Sequence, residues 1–478
     1  MNQILGVAAD EWRYWRRSHL ALGGAIVFLI LVISTSLLNM LRIDAETHAR
    51  SQNQTQAEDT FRAQPDRHPH RMVHYGHYVF RAPAPLAIFD PGLDFVTGQS
   101  IFLEGHRQNT AMFAESSSSA DFGGLSYLSP ALIYQLFAPL IIILLAHGAI
   151  VREREAGMLV SLLSLGLTGS RLLLGKGLAL LSFIVILLLP LVLTCLFAVA
   201  RGETFSAVLS LFGAYLAYLL LWGVIALWFA AIVHKRGTAL AALTGLWFVM
   251  TLILPSVAVN IASNKAPVAG KIETDLALLA EQRGLGDGHN ANDPAFAQLR
   301  AELLAKYGVQ RLEDLPMNFR GLVATSAEEK LTTVLNEYAE KRMAGEVHQE
   351  QILINHAWLT PSLAISFVSR SLAGTDLAHY HRFQKEAEAL RFSFVQGLNR
   401  AHAEKVSYED DINRNKSEAS WQRVRVSAAN WQVLGAYQFQ TASLSDRIST
   451  SLFSLRILLI WLLAFLCLFL WSGWRIKP

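Results

Sequence analysis

Long apolar runs alternate with polar stretches along this chain. The runs occupy residues 20–41, 130–150, 178–200, 206–233, 238–262 and 451–474. Each supplies about the 20 residues that a helix needs to cross a hydrocarbon core, so six membrane spans are expected. Residues 1–19 place Ile4, Leu5, Val7, Trp12 and Trp15 on one side and Glu11, Arg13, Arg16 and Arg17 elsewhere, the pattern of an interfacial helix. The first run is too long for the apolar core of a signal peptide and lacks a small-residue cleavage site, so it reads as an uncleaved span. The arginines before it, the turn His234-Lys235-Arg236-Gly237, and Arg475 and Lys477 at the other end would then all be cytoplasmic. Both termini are expected inside, and the polar regions 42–129 and 263–450 outside.

Periodicity inside those regions is mainly helical. Residues 324–356 space Leu331, Val334, Leu335, Tyr338 and Met343 along one face. Thr360-Pro361 reads as a helix start, and Gly374-Thr375-Asp376 as a stop followed by a new start. In the earlier region, turn signals at Pro83, Pro85 and Asp90-Pro91-Gly92 mark ordered structure, and Ser116–Ser119 a flexible return to the membrane. The expected fold is all-α: a polytopic membrane protein with six transmembrane helices and a large, mostly helical external domain, against which 42–129 could pack.

Composition agrees, with 52% hydrophobic and 17% charged residues. A net charge of +3 without a basic run gives no support for nucleic-acid binding. Cys195 and Cys467 both sit in apolar runs and read as small buried hydrophobes, with no external staple to make. Between the second and third spans lies residues 151–177, VREREAGMLVSLLSLGLTGSRLLLGKG. Met158, Leu159, Leu162 and Leu163 fall on one helical face, and Gly166 and Gly169 break the helix. By pattern alone this is either an ordinary basic interfacial loop or a handle for a soluble partner.

The order ERExGxL followed by LLSLxLTxSRLLLGKxLA resembles the cytoplasmic coupling segment of ABC-2 type transporter permeases, with Met158 where Thr is usual. Asp10-Glu11-Trp12-Arg13 with Arg16-Arg17-Ser18 resembles their elbow helix. HYGHY, FDPGL and LEGHRQN, with LTPSLAISFVSRSLAGTDLAHYHRFQKEAEALRFSFVQGLN, resemble a branch with a large external insertion catalogued as a domain of unknown function. The resemblance implies a permease subunit in the bacterial inner membrane, exporting its substrate. It also implies two copies of an ABC ATPase subunit, which carry ATP and Mg, and a second permease subunit, identical or related. Glu153, Arg154, Glu155, Gly157 and Leu162 would contact the ATPase. Glu11, Trp12, Arg13 and Arg16 would belong to the elbow helix. Two other readings stay open: transmission of mechanical work to a periplasmic or cell-surface partner without substrate crossing, and a membrane-anchored receptor or scaffold.

No enzymatic chemistry is expected on this chain, and no cofactor. Gly169 to Gly177 fails as a phosphate-binding loop, having five residues between its glycines before Lys176 and no Ser or Thr after it. Glu104, His106 and Arg107 lack a nucleophile and read as surface hydrogen-bonding groups. His68, His70, His74 and His77 are dense enough to hold Zn²⁺ or Cu²⁺, but without a nearby carboxylate or cysteine a structural or solvated role is preferred. His379 and His381 point apart on a helix and are poor joint ligands. His147, near the end of the second span, is read as a packing or interfacial group. No span carries an Asp or Glu at its middle, which argues against proton or sodium coupling.

Overall fold

In a computed structural model, residues 2–112, 128–432 and 436–476 are described; Ser116–Ser119 and Lys477 lie outside them. The protein is an all-α polytopic membrane protein; among the described residues, six helices are long and apolar enough to cross a bilayer. Helix α1 (Asn2–Ser18) turns into α2 (Leu20–Arg62) at His19, which takes a left-handed φ of 55°. The 43 residues of α2 make a rod of about 65 Å at 1.5 Å per residue, some twice a hydrocarbon core. Its second half therefore projects from the membrane. The sequence reading ended this helix at Leu41. It continues because no Gly or Pro interrupts Arg42 to Arg62 and polar pairs one turn apart support it: Arg42–Glu46, Glu46–Arg50, Gln54–Glu58 and Glu58–Arg62.

Beyond α2 come α3 (Pro69–Tyr75) and an antiparallel pair, β1 (His77–Phe80) and β2 (Ser100–Leu103), with Tyr78 opposite Phe102. The chain re-enters the bundle through α4 (Pro130–Ala146), followed by short helices α5 (Val151–Glu155) and α6 (Met158–Ser164). Helices α7 (Gly169–Leu187) and α8 (Leu189–Ala200) form the next span. They are separate because Pro190 cannot donate its backbone hydrogen bond. The Tyr134 hydroxyl mends the break, donating to the Leu187 carbonyl at 2.6 Å and accepting from the Leu191 N–H.

Helix α9 (Phe205–Ile232) is the centre of the bundle, packed on α4, α7, α8 and the last span, with Tyr215, Tyr218 and Trp222 fully buried. The fifth span is α10 (Arg236–Phe248), a π-helical turn Val249–Ile253, and α11 (Leu254–Lys265). The wide turn accommodates Pro255, whose ring would otherwise meet the Thr251 carbonyl one turn earlier.

Then follow α12 (Lys271–Gln282), α13 (Ala297–Tyr307), α14 (Phe319–His356), α15 (Pro361–Ala373), α16 (Leu377–Lys405), α17 (Tyr408–Asn413), α18 (Glu418–Arg423) and α19 (Ala429–Gln432), before the last span α20 (Leu444–Arg475). Helices α14 and α16 pair along their lengths, and the earlier polar region is built onto them. Phe61, Met72 and Val73 pack with Val395 and Leu398, and the strands with Phe383 and Ala387. Burial of each such large side chain contributes about 2–3 kcal/mol, so the two polar regions form one extramembrane unit.

One segment of that sequence is not extramembrane in its packing. Ile365, Val368 and Leu372 of α15 are buried among α4, α9 and α20. The Thr360 hydroxyl at its start caps Ser362 and donates to the carbonyl of Met250. Met250 lies 14 residues beyond the start of α10 at Arg236, about 21 Å along the helix, so α15 enters the bundle at membrane depth. The sequence reading placed these residues wholly outside because 13 residues are too few to register as a span.

Candidate functional site

The segment between the second and third spans folds as two short helices joined by a tight turn. Gly157 caps α6 with φ of 68°, and Gly166 follows it at 88°. These left-handed positions suit glycine and explain why the chain reverses there without a longer loop. Leu159 is buried and Leu163 packs against the bundle core, one turn apart. Met158, Val160 and Leu165 are left exposed, Leu165 at 83%. The face of three leucines and a methionine read from the sequence is thus divided. Leu159 and Leu163 anchor α6, Leu162 is half-buried, and the bare apolar surface comes from Met158 with two residues outside that set.

The charged residues before α6 are occupied within the chain. Glu153 and Glu11, both buried, face the buried Lys176 ammonium, Glu153 at 2.5 Å. Arg152 closes the cluster, bonding Glu11 at 2.7 Å and lying over the Tyr14 ring. Two acids and two bases balance one another, the condition under which buried charge is tolerated. Arg154 donates to the carbonyls of Val233 and Ala231, satisfying the end of α9. Glu155 accepts from the Arg236 backbone N–H and pairs with its guanidinium, holding the start of α10. Glu153 and Arg154 are therefore internal braces, Glu155 is an exposed one, and Gly157 shapes the turn. Of the elbow residues, Glu11 is in the ion cluster, Trp12 donates to Ser182, and Arg13 and Arg16 are exposed. The role of Lys176 was missed, although a lysine inside an apolar run is the signal for it. His147 ends α4, bonded to the carbonyl of Leu144 one turn back, in keeping with a packing role.

The histidines of HPHRMVHYGH separate into three environments. His77 is buried beside Phe61 and Phe394, and burial, with a contribution from Arg62, brings its pKa down to about 4. His68 bonds Asp411 at 3.2 Å, and His402 bonds the other Asp411 oxygen at 2.9 Å. Arg414, Arg320 and Asn318 complete the surroundings of that buried carboxylate, so its charge is already neutralised and the group ties α3, α14, α16 and α17 together. Its pKa lies well below the carboxylate range: burial alone would raise it, but the bonds to His402 and His68 prevail. His70 and His74, one turn apart on α3, converge with His106 and His289. His379 is held by Asp376 and His381 by Glu346, on separate sites. Of the hydrolase-like trio, His106 joins the imidazole group, while Glu104 bonds Asn109.

A family model described as "Domain of unknown function (DUF3526)" matches residues 271–440, from α12 to just before α20. It takes in α15, His289 and the α14–α16 pair. No curated protein matches the chain.

Proposed function

We propose that this chain is the membrane-spanning permease subunit of an ATP-driven ABC-2 type transporter, exporting a substrate across the bacterial inner membrane. A separate ATPase, in two copies, hydrolyses ATP, and a second permease copy or relative completes the pathway. The carrying observation is the bracing of an exposed apolar tip. Met158, Val160 and Leu165 offer a partner the apolar centre of an interface. Behind them, α5 is joined to α1 and α7 through Glu11 and Lys176, to α9 through Arg154, and to α10 through Glu155. A displacement of α6 by a docked ATPase would therefore reach four helices at once. In this reading both termini are cytoplasmic and the extramembrane unit is periplasmic.

The paired arrangement draws support from the bare apolar sides of the first, fifth and sixth spans, 33%, 17% and 22% buried. Faces so little covered by their own chain suit lipid or a second permease. The test is co-purification: Leu165→Glu with Met158→Glu should lose the ATPase subunit, while the permease still inserts. Retention of the ATPase at its normal stoichiometry and turnover would overturn the reading.

A second reading, mechanical work on an external partner, is favoured by α2, which runs unbroken from a span into the extramembrane unit. Transport of a substrate into inverted vesicles distinguishes the two.

A further inference from the structure

Four imidazoles meet where the α3 region touches the loop between α12 and α13. His70 Nε2 lies 2.9 Å from His289 Nδ1 and 3.2 Å from His74 Nε2. One ring nitrogen from each of His70, His74, His106 and His289 lies within 4.8 Å of the others. Four nitrogens around a tetrahedral Zn²⁺, at bonds of about 2.0–2.1 Å, stand about 3.3 Å apart. The two closest approaches are near that separation.

Without a central cation the arrangement is poorly satisfied. His70 Nε2 carries at most one proton and cannot serve both neighbours as donor. Protonating several rings would set like charges against one another.

His106 adds two independent features. It has a left-handed φ of 64°, a conformation uncommon for a non-glycine residue and found preferentially where structure is held for function. Its Nδ1 bonds Glu328 at 2.9 Å, and its Nε2 is buried without a hydrogen-bond partner. A carboxylate on the far nitrogen is the arrangement that orients a metal-binding histidine. Glu328 is itself fixed by Arg391, also fully buried and bonded to Glu388 and Thr332.

We propose that His70, His74, His106 and His289 form a binding site for a divalent transition-metal ion of the Zn²⁺ class, oriented by Glu328. Three ligands come from the region between the first two spans, and His289 from the DUF3526 segment. The ion would fasten the two parts of the extramembrane unit to each other.

The experiment uses the full chain in detergent, stripped by chelator and then titrated with Zn²⁺ against a chromophoric competitor. One equivalent should bind per chain, and Co²⁺ in its place should give the absorption of a tetrahedral site. His74→Ala and His289→Ala, at exposed positions, should each weaken binding at least tenfold and abolish the rise in melting temperature on adding Zn²⁺. His348→Ala, elsewhere on α14, should behave as the native chain. Melting of the metal-free variants at the native temperature checks that they fold. Absence of stoichiometric binding in the native chain overturns the proposal, as does affinity that survives the His74→Ala, His289→Ala double variant. Neither outcome bears on ATPase docking.

Discussion

At His77 burial decides the chemistry. It is 4% exposed, packed between Phe61 and the edge-on Phe394 ring, with a pKa brought down to about 4. In an unfolded chain the same ring titrates at about 6.5. For a base with a depressed folded pKa, the unfolded state takes up the proton first. The stability from keeping His77 neutral is therefore complete above about pH 6.5 and is lost as pH falls toward about 4, by up to ~3 kcal/mol. His77→Phe should remove that dependence. Melting temperature of the intact protein, measured at pH 7 and pH 5, should fall less for the variant than for the native chain. Equal falls would mean that other groups carry the acid sensitivity. The neighbouring histidines could not be told apart in the sequence. Spacing put His68, His70, His74 and His77 in one run, while contacts from residues hundreds of positions away sorted them.

For the elements, α5 shows why the ion cluster matters more than its exposed charge. The Lys176 ammonium lies between two buried carboxylates belonging to α1 and α5. Lys176→Met would leave Glu11 and Glu153 facing each other with Arg152 alone to compensate. Removing one partner of a buried ionic group costs about 3–5 kcal/mol. Chemical unfolding in detergent should show that loss, and adding Glu153→Gln should restore part of it. No recovery in the double variant would mean that the cost comes from packing. The same helices show what periodicity can and cannot say. Repeats at 158, 159, 162 and 163 announced a short helix. Which leucines face inward depended on where α6 lies against the bundle.

Across the whole molecule, the proposed orientation puts α6 on one side of the membrane and the extramembrane unit on the other. In a Cys195→Ala, Cys467→Ser background, single cysteines at Gln310 and Ser417 should react with an impermeant thiol reagent in intact spheroplasts. A cysteine at Ser161, on α6, should react only after lysis. Labelling of Ser161→Cys in intact cells, with protection of the other two, would reverse the topology. The three chosen positions are exposed, so protection reports sidedness and not burial.

Span number and fold class were legible in the sequence because bilayer thickness imposes a length on each apolar run, and that is a local property. Turn chemistry was legible for the same reason: Gly166, Thr360 and Asp376 act within a few residues of themselves. Three features came only from the tertiary structure. Helix α2 reaches beyond the membrane because polar pairs sustain it after its hydropathy ends. Helix α15 lies among the spans because its short apolar face finds α9 and α20. His289 stands beside His70, 219 positions away, because α14 and α16 carry the two polar regions together. Hydrophobic length and local dihedral preference are written residue by residue; the meeting of distant polar groups depends on how the elements pack.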